Sequence, residues 1–357
     1  MNTTVLPNTC HDELPTALMK RTAADFRVDE QLGFEPEGDG EHLWVQIRKT
    51  GRNTRDVVDF LGKGLSLPAR EIGTSGIKDK HAVTTQLMSL PTAKLENKDR
   101  LSEMLQEMLS DVTDIECVRA LLGRKKLKTG THKYNHFTIV LRDIESARDV
   151  VERRLLAVAE QGFPNYFGPQ RFGRDGRNVL QAKSLFEGRV KASKFKRGMY
   201  LSAARAYLFN KVLAQRVETD TWNRVQPGDA CILNGSNSLF RNQTVDGDIE
   251  NRCAQLDIHP SGPMFGVGEA IVSGAVAQLE SDLLATETVI TDGLARAGLK
   301  SERRALRAVA NDLQWRWLDD STLELQFGLG KGVFATSLLA EIACVQDARD
   351  QHPVEAE

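Results

Sequence analysis

Apolar and polar positions alternate with two different periods along the first 160 residues, and the period separates strand from helix. Phe26 and Val28, then Leu43, Val45 and Ile47, recur at every second residue, the spacing of strands with one buried face. Between Thr54 and Leu65 the spacing changes. Val57, Val58, Leu61 and Leu65 fall on one face of a helix, which Pro68 closes. Residues 71–90 predict a short strand, a turn reading Gly-Ile-Lys-Asp-Lys-His, and a second strand through Val83 and Leu87. Phe137, Ile139 and Leu141 mark another strand, followed by a helix over about 144–160.

The pattern then breaks. Residues 162–173 hold two prolines and three glycines, which no helix or regular strand sustains, so a boundary is expected near Gln161. Beyond it the periodicity predicts a helix at 201–217, strand-like segments over about 228–274, and a helix at about 280–297. Strand spacing returns at Leu323, Leu325 and Phe327, before a Gly-Leu-Gly-Lys-Gly turn and a helix from about Ala335. The simplest parse is one domain interrupted by another: residues 1–161 and 309–357 form the first, and 162–308 are inserted.

Length agrees, since 357 residues divided by about 150 per domain favours two. An apolar fraction of 41% with 27% charged residues is that of a globular chain rather than a disordered one. No charge-free run approaches the ~18 residues of a membrane helix, so no membrane partner is expected. The first 18 residues lack Lys and Arg, which argues against a secretory leader. The five cysteines are scattered without a Cys-x-x-Cys pair, which suggests a cytoplasmic protein without disulfides or a zinc ribbon. The net charge of −2 hides local bias. Arg119, Arg124, Lys125, Lys126, Lys128 and Lys133 form one run without an acid, and Lys191, Lys194, Lys196 and Arg197 form another. Acids gather elsewhere, as in the 347–357 tail. One such run is as readily a solvated face; two beside glycine- and aromatic-rich segments favour a surface that follows phosphates.

Gly76-Ile77-Lys78-Asp79-Lys80-His81-Ala82-Val83-Thr84-Thr85-Gln86 is the most informative stretch. A carboxylate between two lysines on a turn stays ionised, because nearby cations lower its pKa; this suits a nucleophilic or electrostatic role. On physics alone an ordinary surface turn is the commoner explanation. His132 and His136 lie four apart, but with no third ligand in view they do not make a zinc site. Gly328-Leu329-Gly330-Lys331-Gly332 lacks phosphate-loop spacing and reads as a tight turn. Phe26, Phe137 and Phe334 are core residues by default.

The stretch is similar to the signature of the TruD-type tRNA pseudouridine synthases, roughly Gly-x-Lys-Asp-x-His-Ala-x-Thr-x-Gln. Further blocks resemble that family in its order: residues 34–42, Asn135-His136-Phe137, Asn165–Gly168 with Gln170–Gly173, Ser202–Arg205 with Tyr207–Asn210, and Phe334–Ser337. The resemblance spans about Lys20 to Glu341. It implies an α+β architecture: a circularly permuted pseudouridine-synthase catalytic domain with a largely antiparallel mixed sheet, and an inserted α+β TRUD domain at about 162–308. It implies isomerisation of uridine-13 in tRNA without a cofactor or metal; no protein partner is implied, and a monomer is expected. Asp79 matches the catalytic aspartate, and Phe26, Asn135 and Phe334 match positions that contact substrate. Lys20 stands where a lysine able to pair with Asp79 is expected, and Phe137 where an aromatic faces the target base. Three departures stand out: Ala23-Ala24-Asp25-Phe26 for Pro-Glu-Asp-Phe, Leu329-Gly330-Lys331-Gly332 for Leu-Pro-Ala-Gly, and Val333 for a common Ser.

The chemistry is coherent with these residues. A base inside folded RNA must be flipped out before it can be cut from its sugar, at a cost of a few kcal/mol. Stacking on aromatics returns ~1–3 kcal/mol per base. Asn135 can hydrogen-bond a uracil edge or orient the carboxylate, and Asp79 either attacks C1′ or helps remove a sugar proton. A non-catalytic tRNA binder would not need the carboxylate, and a glycosidase would need a second catalytic acid, which no comparable motif supplies.

Overall fold

The structure, a computed structural model, describes residues 6–10, 12–92, 101–236, 238–242 and 244–351. The end of the acidic tail, residues 352–357, lies outside these. Chain contacts divide the molecule into two units. A sheet unit consists of Pro15–Ser146, Asn311–Gly332 and Cys344–Glu357; a second unit consists of Met1–Leu14, Ala147–Ala310 and Val333–Ala343.

The chain enters the sheet unit through β1 (Thr16–Met19), β2 (Phe26–Gln31) and β3 (His42–Thr50), then α1 (Thr54–Gly64) and β4 (Gly73–Thr74). There follow β5 (Val83–Pro91), α2 (Leu101–Leu109), β6 (Ile115–Gly123) and β7 (Tyr134–Glu145). The second unit contains α3 (Arg148–Gln161), β8 (Phe163–Pro164), α4 (Pro169–Phe172), α5 (Arg177–Phe186), α6 (Lys194–Glu218), β9 (Ala230–Leu233) and β10 (Leu239–Arg241). It continues with α7 (Gly247–Ala254), β11 (Ile258–Met264), α8 (Gly274–Ala285), α9 (Thr288–Arg296), β12 (Glu302–Ala305) and β13 (Arg307–Ala308). The chain returns to the sheet unit for β14 (Asn311–Trp317) and β15 (Leu323–Gly330), gives α10 (Ala335–Ile342) to the second unit, and ends with β16 (Cys344–Asp347) and α11 (Ala348–Gln351) in the first.

The large sheet runs β14-β15-β7-β2-β5-β3-β6, with β1, β16 and β4 off this path. Its neighbours are antiparallel except for β2–β5 and β1–β16, so the sheet is mixed but largely antiparallel. Leu43, Val45 and Ile47 of β3 and Met88 and Leu90 of β5 bury one face against Val57 and Leu61 of α1 and Leu105 of α2. Each such fully buried side chain contributes roughly 1.5–3 kcal/mol. At the start of α1, the Asn53 amide donates to Asp56 Oδ2 at 3.1 Å, which satisfies one of the orphan donors at the helix end.

In the second unit α6 is central. Its Ala203, Ala204, Ala206, Leu208, Phe209 and Leu213 are buried. A four-stranded sheet β10-β9-β11-β12 and a two-stranded β13–β8 complete it. The helix before Gly162 and the helix after Val333 also pack here, although the sequence parse places both in the flanking segments. The reason lies in α3. Val151 and Leu155 are fully buried, and the buried Arg154 guanidinium donates to the Glu341 carbonyl of α10 at 3.4 Å.

Three helices differ from the pattern reading. The one expected over about 144–160 starts at Arg148, because β7 continues to Glu145. The helix expected at 201–217 starts at Lys194, with Ser193 Oγ accepting from the Lys196 amide at 3.4 Å. The helix expected at 280–297 is two, α8 and α9. The break is at Glu287, whose backbone is non-helical and whose carboxylate accepts from Tyr207 Oη at 2.7 Å and Lys183 Nζ at 2.9 Å.

Candidate active site

The turn carrying Asp79 joins β4 to β5 in the sheet unit, and buried polar groups hold it on both sides. Thr54, the first residue of α1, accepts from the Lys78 amide at 2.9 Å and donates to Gln86 Oε1 at 2.9 Å. Gln86 donates to the Gly76 carbonyl at 3.4 Å. Lys49 is fully buried, and its ammonium donates to the carbonyls of Arg52 at 2.6 Å and Asp79 at 2.7 Å. Burial lowers the Lys49 pKa to about 8, despite the opposing pull of Asp79 and Asp56.

The Asp79 carboxylate has two partners. Oδ1 accepts from the His81 amide at 3.0 Å, an Asx-type turn, and Oδ2 is ion-paired with the Lys20 ammonium. The expected Lys20–Asp79 pair is therefore formed. Lys20 has a left-handed backbone at φ +58°, which is uncommon and costs about 1–3 kcal/mol for a residue other than glycine. The ammonium also lies 4.4 Å from the Phe26 ring centroid. Phe26 meets Phe137 edge-on at 6.1 Å, and Phe137 stacks on Phe327 at 5.4 Å. Burial alone raises the Asp79 pKa. The Lys20 hydrogen bond and charge, with the His81 amide and Arg349, outweigh that and hold the carboxyl below its ordinary value. The flanking Lys78 and Lys80, from which the sequence reading derived this lowering, are not the cause. Lys80 is exposed, and Lys78 turns inward.

Lys78 points to a second buried group. Its ammonium is 2.7 Å from Glu30 Oε2 and donates to Asn135 Oδ1 at 2.8 Å. Glu30 Oε1 also accepts from the Ser75 hydroxyl and, at 3.4 Å, from the Leu87 amide. An ammonium has no acceptor, so Asn135 must turn its oxygen toward Lys78. That leaves the Asn135 NH2 for another acceptor. His132 Nδ1 is 3.3 Å from the Ser75 carbonyl and 3.9 Å from Glu30; burial and then Lys78 lower its pKa. His136 stands on β7 opposite Asp29. Among the described residues, no group of three or more His, Cys, Asp or Glu is placed to hold a metal ion.

A profile of the family described as "tRNA pseudouridine synthase D (TruD)" matches residues 15–196 and 191–342. A tRNA pseudouridine synthase D of Methylococcus capsulatus is 43% identical over 319 residues, covering 89% of this chain and 88% of the relative. One of Hydrogenovibrio crunogenus is 38% identical over 328 residues, covering 92% of each. This chain belongs to the tRNA pseudouridine synthase D family. The crystal structure of a putative tRNA pseudouridine synthase D from Methanosarcina mazei has the same fold, with a TM-score of 0.75 at 20% identity, over 96% of this chain and 97% of that one.

Of the six residues that the family pattern singles out, five lie in the sheet unit: Lys20, Phe26, Asp79, Asn135 and Phe137. Phe334 belongs to the second unit, at the start of α10. Its ring is 5.9 Å from Phe167 and 6.0 Å from the Arg171 guanidinium. Gly168 permits this approach, since a Cβ there would meet Thr336 Oγ1 at 2.7 Å and the Phe334 ring at 3.6 Å. The turn expected over Gly328–Gly332 is shorter. Gly328, Leu329 and Gly330 continue β15 and pair with His136, Asn135 and Tyr134, and only Lys331 and Gly332 turn. Glu30 and Lys49 escaped the sequence reading, yet each had a signal. Glu30 continues the inward alternation of Phe26 and Val28, and Lys49 that of Leu43, Val45 and Ile47. A charged residue at an inward strand position marks a paired or functional group.

Proposed function

We propose that this chain isomerises uridine-13 of tRNA to pseudouridine, with Asp79 as the catalytic carboxylate. One arrangement carries the reading: an ionised aspartate in the family signature, ion-paired with the almost fully buried Lys20 on a turn clamped by Lys49. The target uridine leaves the stack, the N1–C1′ bond breaks, uracil rotates, and C5 joins C1′. The C5 proton is lost and N1 gains one, so substrate and product are isomers and no co-reactant enters. Asp79 acts on the ribose side, by attack at C1′ or by taking a sugar proton. Both need the carboxylate charged, which the cation beside it favours. Lys20, Phe26, Asn135 and Phe137 are the substrate residues of the sheet unit, and Phe334 is that of the second unit. Phe26 and Phe137 are 7% and 8% exposed, so they offer the base little ring surface. The Asn135 NH2 can donate to a uracil carbonyl.

Pseudouridine-specific chemical mapping of tRNA incubated with the protein tests this. Conversion at position 13 is expected. Free uracil would make the protein a glycosidase, and bound but unaltered tRNA would make it a binder.

A further inference from the structure

One apolar residue of the Asp79 turn is turned outward. Ile77 is 89% exposed, the highest value for any large hydrophobic side chain among the described residues. A lone surface hydrophobic needs no explanation, but the setting of this one is unusual. On its N-terminal side the Gly76 carbonyl is held by the fully buried Gln86. On its C-terminal side the Lys78 amide is held by the buried Thr54, and the Lys78 ammonium by Glu30 and Asn135. Ile77 is thus a β-branched, stiff side chain held toward water on a turn whose backbone is hydrogen-bonded on either side of it. It is two residues from Asp79, so the two Cα atoms are within about 7 Å of each other.

We infer that Ile77 is the wedge of this active site: it enters the base stack of the RNA and fills the gap left when the target uridine is flipped toward Asp79. The inference rests on the proposed reaction. A base must leave the stack to be rearranged, and the vacancy leaves its neighbours unstacked. Apolar side chains inserted between base steps hold such gaps open. Isoleucine carries no hydrogen-bonding group, so it would fill the gap whatever bases flank it. Insertion would also remove from water the apolar surface that the turn now leaves exposed.

The test uses tRNA with 2-aminopurine beside the target uridine, whose fluorescence rises on unstacking. It is bound to the Asp79→Asn protein with and without Ile77→Ser. A several-fold rise is expected with Ile77 and little rise without it. In the otherwise unaltered protein, Ile77→Ser should slow single-turnover pseudouridine formation at saturating tRNA by roughly tenfold or more, and Ile77→Leu should restore most of the rate. The side chain is exposed, so neither change should move the thermal midpoint. The inference needs both results. An equal fluorescence rise in the two proteins, or a rate within about twofold of the unaltered one, overturns it. If the unaltered protein makes no pseudouridine, the proposed function fails first, and the fluorescence comparison still decides whether Ile77 unstacks the RNA.

Discussion

A carboxylate beside an ammonium gains most where water is scarce, and the Lys20 and Asp79 side chains are 6% and 21% exposed. The folded pKa of Asp79 lies below its unfolded value. The pair's contribution to stability is therefore fully present above about pH 3.9 and is lost as pH falls through the lower folded value. Lys20→Met removes the largest lowering influence and leaves burial, which raises the pKa. The acid limb of the pH–rate profile should then move to higher pH. An unmoved limb would show that Lys20 does not set the charge state of Asp79. Lys78 acts one step further away. Lys78→Met leaves Glu30 buried without its cation and should cost about 3–5 kcal/mol. It also frees the Asn135 amide to rotate. Adding Glu30→Gln should restore most of the thermal midpoint but not the rate of isomerisation. Recovery of both together would reduce Lys78 to a structural residue.

At the scale of elements, the basic run at 119–133 looks different once folded. Arg119 pairs with Glu35 at 3.0 Å, Arg124 with Asp39 at 2.8 Å, and Lys126 donates to the Arg70 carbonyl at 2.6 Å. Acids distant in sequence neutralise cations that a linear reading leaves unopposed. Lys125 and Lys128 are exposed and form no ion pair among the described residues. Each phosphate released from its counterions by a bound cation contributes about 0.7–0.9 to the salt slope of the affinity. Replacing Lys125 and Lys128 by Ala should weaken tRNA binding and flatten that slope by roughly one to two. Arg124→Ala should do little. An unchanged slope in the double variant would place this strip away from the RNA. β2 and α1 were legible from their period because each buries one face, whereas β5 is buried on both. The break between α8 and α9 was not legible, since it depends on donors at Lys183 and Tyr207, far away in the chain. The β1–β16 pairing was hidden for the same reason: its two strands come from opposite ends of the chain.

Across the whole molecule, the chain leaves the sheet unit after Ser146, returns for β14 and β15, leaves again for α10 and comes back for β16. A single linear insertion at 162–308 captures the first excursion only in part. It misses α3 and α10 because helix-on-helix burial has no periodic signature of its own partner. The chemistry was more legible than these boundaries. The Asp79 motif is local, and Lys20 could be expected opposite it, whereas the clamp from Lys49 and the orienting Lys78–Glu30 pair required the folded sheet. The account depends on Asp79 acting as a charged carboxylate rather than as a turn residue. Asp79→Asn keeps the shape but removes the charge, and its single oxygen can serve only one of the two donors that face the carboxylate, the His81 amide and Lys20. Phosphate contacts, which supply most of the affinity for RNA, are untouched by it. Pseudouridine at tRNA position 13 should be measured for this variant alongside its thermal midpoint and tRNA affinity. The account predicts that product is abolished while fold and binding stay near those of the unaltered protein; product formed at a near-normal rate, or activity lost only through unfolding, would contradict it.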